Sequence, residues 1–253
     1  MDRPNKMNPI EQLFYTLRLR QKGKLDEAIA IYRKRLIDNP EDDIIRHHLA
    51  STLYFKGEIA AAIAERRHLL GKNANNHFDR WLLVGELLGQ GSHVMALAEA
   101  QELVRRDPAE KISHTKLGDV YHAMGDIACA IRCYEYAAGL PRPSAFILAS
   151  LGELYEEANR PQEAAIAFKR ALATAPRLLR ALLGLGRALA YLGRPAEARE
   201  QWKKVIELAS PHLATEVPPG KWETMRPGYA GSHLPLARKV ELARELLKRY
   251  GGE

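Results

Sequence analysis

Residues 145–176 read AFILASLGELYEEANRPQEAAIAFKRALATAP. Two stretches with helical spacing flank Asn159-Arg160-Pro161. Leu151, Gly152, Tyr155, Ala164, Phe168, Ala171 and Pro176 stand at positions that recur along the chain. The strictest recurrence is alanine. Ala28, Ala62, Ala96, Ala130, Ala164 and Ala198 lie 34 residues apart without a slip. A fixed period of this size marks a stack of small repeated units.

Other columns keep the same register. Tyr15, Leu49, Leu83, Leu117, Leu151 and Leu185 form an apolar series. Gly23, Gly57, Gly91, Gly125, Asn159 and Gly193 fall between two helical stretches, where a tight turn needs positive φ. Glycine takes that conformation freely, and asparagine more readily than most residues. The alanine follows five residues later, and its methyl group lets two helices approach closely. Four residues on, Tyr32, Arg66, Ala100, Tyr134, Phe168 and Trp202 share the alanine's face, and the large ones fill space between repeats. Pro40, Pro108, Pro143, Pro176 and Pro211 close most repeats, with Ala74 in the second.

These residues resemble the tetratricopeptide repeat, whose signature is Leu-Gly-x-x-Tyr, then Ala-x-x-x-aromatic, then Pro. The fourth repeat offers Leu117, Gly118, Tyr121, Ala130, Tyr134 and Ala137. The sixth offers Leu185, Gly186, Ala198 and Trp202. Thr16, Ala50 and Val84 stand where the family has glycine, so the first three repeats are looser. The resemblance covers roughly residues 9–212. It implies an all-α, right-handed α-solenoid of six tandem helix-turn-helix repeats of 34 residues.

The expected first helices are 11–20, 43–55, 77–89, 111–123, 145–157 and 179–191. The expected second helices are 25–37, 59–71, 93–105, 127–139, 161–173 and 195–209. Residues 1–8 form a tail, and a Pro/Gly-rich loop with Trp222 and Tyr229 occupies 213–233. In 234–253, Leu236, Val240, Ala243 and Leu247 make one apolar stripe. That pattern suits a helix capping the last repeat, with a partner or membrane-surface helix as the alternative.

Composition agrees with helices: alanine and leucine dominate a hydrophobic fraction of 46%. No apolar run has signal-peptide or membrane-span character, and two cysteines make no disulfide framework. A cytoplasmic protein is expected. The net charge of +7 is uneven, since residues 179–253 hold 13 Lys and Arg against 8 Asp and Glu. Solvated helix faces explain this, and an anionic partner is the sharper alternative.

Catalytic constellations are missing from the sequence. It has no phosphate-binding glycine loop, no dinucleotide fingerprint after a strand, no nucleophile elbow and no His-Glu-x-x-His. Cys129 and Cys133 could hold half a metal site but read better as small packing residues. No catalytic residue, metal or cofactor is expected.

The resemblance implies that the first helices line a concave groove where extended peptides or partner helices bind. The residues expected there are His47, Ser51, Tyr54 and Phe55 in the second repeat and Phe78 and Trp81 in the third. Asp119 and His122 follow in the fourth, Glu153, Glu156 and Glu157 in the fifth, and Arg187 and Tyr191 in the sixth. The corresponding sets begin with Ile44, Phe78, Ile112, Phe146 and Arg180. The second and third repeats thus read as an aromatic zone with Trp81 as anchor. The fifth reads as acidic and the sixth as basic. Carboxylate-clamp members of the family carry Lys and Asn where this chain has His47 and Ser51, or Trp81 and Gly85, so a receptor for chaperone tails is not expected. The expectation is a non-enzymatic adaptor whose partner is another protein. A self-assembling structural scaffold and a nucleic-acid-binding solenoid are the alternatives, the latter using the basic C-terminal third.

Overall fold

The computed structural model describes residues 9–213 and 236–250, and all secondary structure among them is helical. The helices are α1 (Pro9–Gln21), α2 (Leu25–Asp38), α3 (Asp43–Lys56), α4 (Ile59–Lys72), α5 (His77–Gly89), α6 (His93–Arg106) and α7 (Lys111–Ala123). They continue with α8 (Ile127–Gly139), α9 (Ala145–Glu157), α10 (Pro161–Thr174), α11 (Leu179–Tyr191), α12 (Pro195–Leu213) and α13 (Leu236–Tyr250). Each expected helix is present to within a few residues. The exception is the end of α12, which passes Pro211 and reaches Leu213. Residues 214–233 of the expected loop, with Trp222 and Tyr229, lie outside the described residues.

The turn column behaves as its chemistry requires. Gly57 has φ +92° and Asn159 φ +56°, and the other glycines of the column are positive too. The first helices start on a second regular column. Asp42, Asn76 and Ser144 each accept a hydrogen bond from the backbone N–H three residues on, and Glu110 accepts from Ile112 N. Each such cap satisfies a donor that the helix leaves unpaired, worth about 1 kcal/mol.

By its contacts the chain divides into two compact units, with a boundary in the sequence between Glu99 and Ala100 of α6. In the first unit α2 packs on α1 and α3, and α4 packs on α3 and α5. Its core joins Leu19, Ala28, Ile29, Tyr32, Ile45, Leu49, Leu53 and Ala62. In the second unit α7 to α13 pack in sequence, and α11 also touches α9 and α13. All six alanines of the period are 0% exposed.

Small and large residues alternate for a steric reason. A Cβ added to Gly152 would lie 2.7 Å from the Phe168 ring, and one added to Gly184 would lie 2.2 Å from it. Phe168 is therefore wedged between its own hairpin and the next, where only glycine leaves room. Gly118 makes the same space for Tyr134, and Gly186 for Trp202. The Gly-Leu-Gly of residues 184–186 is thus a packing device. Helix α13 closes the second unit. Val240 and Ala243 are buried, Leu246 and Leu247 pack on the core, and the Tyr250 ring lies 5.6 Å from Trp202.

Candidate functional site

In the first unit the face made by α3 and α5 carries a ladder of rings. The His47 imidazole stacks on Phe78 at 5.3 Å and 25°, and Phe78 stacks on Trp81 at 5.9 Å and 15°. Phe78 is 58% exposed, and Ile44, at the same position one repeat earlier, is 64% exposed. A Cβ added to Gly85 would meet nothing within 4 Å. Tyr54 and Phe55 meet edge to face at 6.3 Å, and the Arg20 guanidinium lies 5.1 Å over the Phe55 ring.

Behind this face sits a buried ionic cluster. Arg66 occupies the position that is aromatic in most repeats, and it is 0% exposed. Its Nη1 lies 2.5 Å from Asp79 Oδ1 and 2.9 Å from His47 Nδ1. Its Nε donates to Glu86 Oε1 at 3.0 Å, and its Nη2 donates to Ser51 Oγ at 2.8 Å. The second oxygen of Glu86 is buried with no partner among the described residues. Burial pushes the Glu86 carboxyl up to about 7 against the pull of Arg66. Burial pushes the Asp79 carboxyl up as well, but His47 and Arg66 outweigh it and hold it below its ordinary value. His48, stacked on Tyr32, is pushed down to about 4 by burial and by the neighbouring His47, Arg20 and Arg66. His47 and Ser51 are therefore both surface candidates and ligands of a buried guanidinium.

The first-helix face of the second unit is different in kind. Arg187 of α11 makes a two-toothed bridge to Glu156 of α9, at 3.1 and 2.6 Å. Arg180 of α11 bridges Glu153 in the same way and also donates to Ser150. His122 Nε2 is 2.7 Å from Glu157 Oε2. Asp119 accepts from Lys116 and from the Tyr134 hydroxyl. The acidic fifth repeat and the basic sixth thus meet as ion pairs across α9 and α11, rather than as two open bands of charge. Burial raises the Glu156 carboxyl despite Arg187. Apolar residues of the same first helices are exposed: Ile112 of α7 at 52%, Phe146 of α9 at 58% and Tyr191 of α11 at 76%.

Among the described residues no three His, Cys, Asp or Glu side chains converge as metal ligands, and no helix is long and apolar enough to cross a membrane. Burial pushes the Cys133 thiol up to about 11, and Cys129 is held up by Asp126, so neither is an activated nucleophile.

The residues that the sequence reading missed are Arg66, Asp79 and Glu86. Their one visible sign was Arg66 itself, a charge in a column of rings. A second signal went unweighted: Ile44, Phe78, Ile112 and Phe146 recur at the 34-residue period, and all four are exposed.

Paired antiparallel helices, a buried alanine at every crossing and glycine-type turns define an α-hairpin repeat protein. The sequence profile of the tetratricopeptide repeat matches residues 115–178 and 150–212. Residues 115–212 carry tetratricopeptide repeats. Solved structures agree on the fold. TTC0263, a thermophilic tetratricopeptide repeat protein of Thermus thermophilus, is 24% identical, with 70% of this chain and 97% of that chain covered and a TM-score of 0.56. A tetratricopeptide repeat protein from Parabacteroides merdae is 14% identical over 92% and 98% of the two chains, with a TM-score of 0.62. YrrB, described as a tetratricopeptide repeat protein with an unusual peptide-binding site, is 18% identical over 72% and 94%, with a TM-score of 0.52. No curated protein matches the sequence. The fold is that of a protein–protein interaction scaffold in general, and proteins of this repeat class are generally non-enzymatic adaptors.

Proposed function

We propose that the protein is a non-enzymatic cytoplasmic adaptor that holds a partner protein, as an extended peptide or a helix, on the faces of its first helices. The observation that carries this reading is the α3–α5 face: a ring ladder of His47, Phe78 and Trp81 with Phe78 and Ile44 exposed, mounted on a buried and fixed base. Exposed large apolar groups recurring on one helix position are a contact surface rather than scattered exceptions. Rigid rings lose little entropy on binding, so they serve as anchors, and Trp and Tyr are enriched among residues that dominate binding energy. YrrB lends analogy only, since its printed description concerns its own site. In the second unit the ion pairs over α9 and α11 leave Phe146 and Tyr191 as the groups that would meet a partner, with Glu153, Glu156, Glu157 and Arg187 tuning rate and salt sensitivity.

The test is selection of phage-displayed random peptides on the wild-type protein, followed by calorimetric titration. Trp81→Ala and Phe78→Ala should each weaken the selected peptides by about 2 kcal/mol or more, the range of a hot-spot residue, with unchanged melting curves. Lower stability with intact affinity would instead make the ladder a packing feature.

A further inference from the structure

We propose that the cleft between α8 and the α9–α10 turn is a second docking site, which takes one aliphatic side chain flanked by an acidic residue from a partner polypeptide. None of its lining residues belongs to a first helix, so the site is independent of the groove proposed above.

Three repeat columns depart from their pattern at this one boundary. Ala158 is the short member of a column that otherwise reads Lys22, Lys56, Gln90, Met124 and Leu192. It lines a hollow of about 440 Å³ together with Ile127 and Ile131 of α8, and Ile131 is 5% exposed. Arg132 and Arg160 line the same hollow. One repeat earlier their positions hold Ala98 and Asp126, and one repeat later Ile166 and Arg194. A short residue and two arginines coincide at no other repeat boundary of the chain. The volume lies within the range of about 300–1,000 Å³ typical of ligand sites. Those sites enclose most of a small ligand. This hollow is open to solvent, which suits a side chain projecting from a polypeptide that runs past.

The arginines are placed for a carboxylate. The Arg160 guanidinium lies 4.7 Å over the Tyr155 ring, and the Tyr155 hydroxyl donates to Glu135 Oε1 at 2.6 Å. Tyr155 is 8% exposed, and burial, with Glu135, pushes its hydroxyl up to about 12, so this donor keeps its proton at neutral pH. Glu135, the acidic group of the lining, is thereby engaged, and Arg160 rests on a buried ring. Arg160 also pairs with Glu163 at 2.9 Å, an exposed bridge that contributes little and is readily exchanged for a ligand's carboxylate. Arg132 donates to Cys129 Sγ at 2.9 Å and forms no ion pair among the described residues. A carboxylate at the cleft therefore meets two guanidinium groups, and an aliphatic side chain next to it covers Ile127 and Ile131.

The test is a magnetic-resonance titration of the isotope-labelled full chain with three end-blocked peptides, Glu-Leu-Glu, Glu-Ile-Glu and Glu-Met-Glu, which offer the acidic residue on either side. At millimolar concentration at least one should shift the resonances of Ile131 and Ala158. Ala158→Met installs the residue of the preceding repeat, whose Met124 is 44% exposed. It should weaken that peptide about tenfold or more, the scale of burying one aliphatic side chain. Arg132→Ala installs the alanine of the first three repeats, Ala30, Ala64 and Ala98. That variant, and glutamine in place of the peptide's glutamates, should each weaken binding about two- to fivefold, the scale of an exposed ion pair. Unshifted Ile131 and Ala158 resonances with all three peptides overturn the proposal. So does binding that Ala158→Met or the glutamine peptide leaves intact. Should Ala158→Met fail to fold, intact binding by Arg132→Ala overturns it instead. Hexanoate that shifts the same resonances as strongly as the best peptide overturns a polypeptide as the occupant.

Discussion

Gly186→Ala and Gly85→Ala make the same chemical change inside two helices, and the structure assigns them opposite signs. Alanine is favoured over glycine in a helix interior by roughly 0.5–1 kcal/mol. At Gly85 the new methyl group meets nothing within 4 Å, so that gain should appear in full. At Gly186 the methyl carbon would lie 2.1 Å from Trp202 Nε1 and 2.7 Å from its Cδ1. Ordinary carbon contacts are about 3.5–4.0 Å, so the indole must move by more than an ångström. It has no easy way to do so. Trp202 is 0% exposed, its Nε1 donates to Leu183 O at 3.4 Å, and Tyr250 of α13 lies against it. Overpacking of this kind costs about 1–3 kcal/mol, which exceeds the propensity gain. The expected net effects are a loss of about 1–2 kcal/mol at Gly186 and a gain of about 0.5–1 kcal/mol at Gly85. Urea titrations followed by far-ultraviolet dichroism and by tryptophan fluorescence read both. Shifts of the two midpoints in the same direction would refute the reasoning, because propensity alone, and not the Gly186–Trp202 contact, would then decide the outcome.

Three further outcomes follow from the same structure. Ending the chain before Leu236 uncovers Trp202 and the α12 surface that Val240 and Ala243 bury, so the melting midpoint should fall and light scattering should show association; a monomer with an unchanged melting curve would remove the capping role of α13. Asn159→Ala should cost about 1 kcal/mol while Asn159→Gly stays within a few tenths, because φ there is +56°, and equal midpoints would contradict this. Glu86 titrates at about 7 in the folded chain against a usual 4.5, so unfolding releases its proton between those values and the stability it contributes falls as pH rises through that window, by up to about 3 kcal/mol. His48, at about 4 against 6.5, has the opposite slope, so the comparison of Glu86→Gln with wild type isolates the carboxyl, and a difference independent of pH from 4.5 to 7 would exclude its titration.

The scaffold was legible in the sequence because its determinants are local. A turn needs positive φ at one residue, a crossing needs one methyl group, and a helix start needs one acceptor, so each recurs at the period and can be read one residue at a time. The column of Gly23 to Gly193 and the column of Ala28 to Ala198 behave as expected for that reason. The first-helix face was legible only as a set of positions. Whether Glu153 and Glu156 are open charges depends on Arg180 and Arg187, 27 and 31 residues away on α11, and nothing in the spacing says that the side chains reach one another. Likewise His47 looked like a groove residue and Arg66 like a lapse in the pattern, while the structure joins them.

That joining bears on how a repeat protein acquires a particular partner. The alanine and turn columns must stay constant, or the hairpins do not close. The ring column has more freedom, because what it must supply is volume and satisfied polarity. Tyr134 faces Gly118, Phe168 faces Gly152 and Trp202 faces Gly186, while Thr16 and Ala50 hold the glycine's position in the hairpins of Tyr32 and Arg66. Arg66 uses that freedom with a group that reaches through the hairpin and bonds to α3 and α5 at once. A buried ion cluster of this kind is a poor source of net stability, since desolvation offsets most of the attraction. A cluster in a fully buried place is better matched to fixing geometry than to holding the fold, and the ring-ladder residue that it touches is His47. Replacing the cluster by well-packed apolar side chains should therefore leave the melting midpoint nearly unchanged while altering what the face binds, a separation of stability from recognition that a purely structural cluster would not produce.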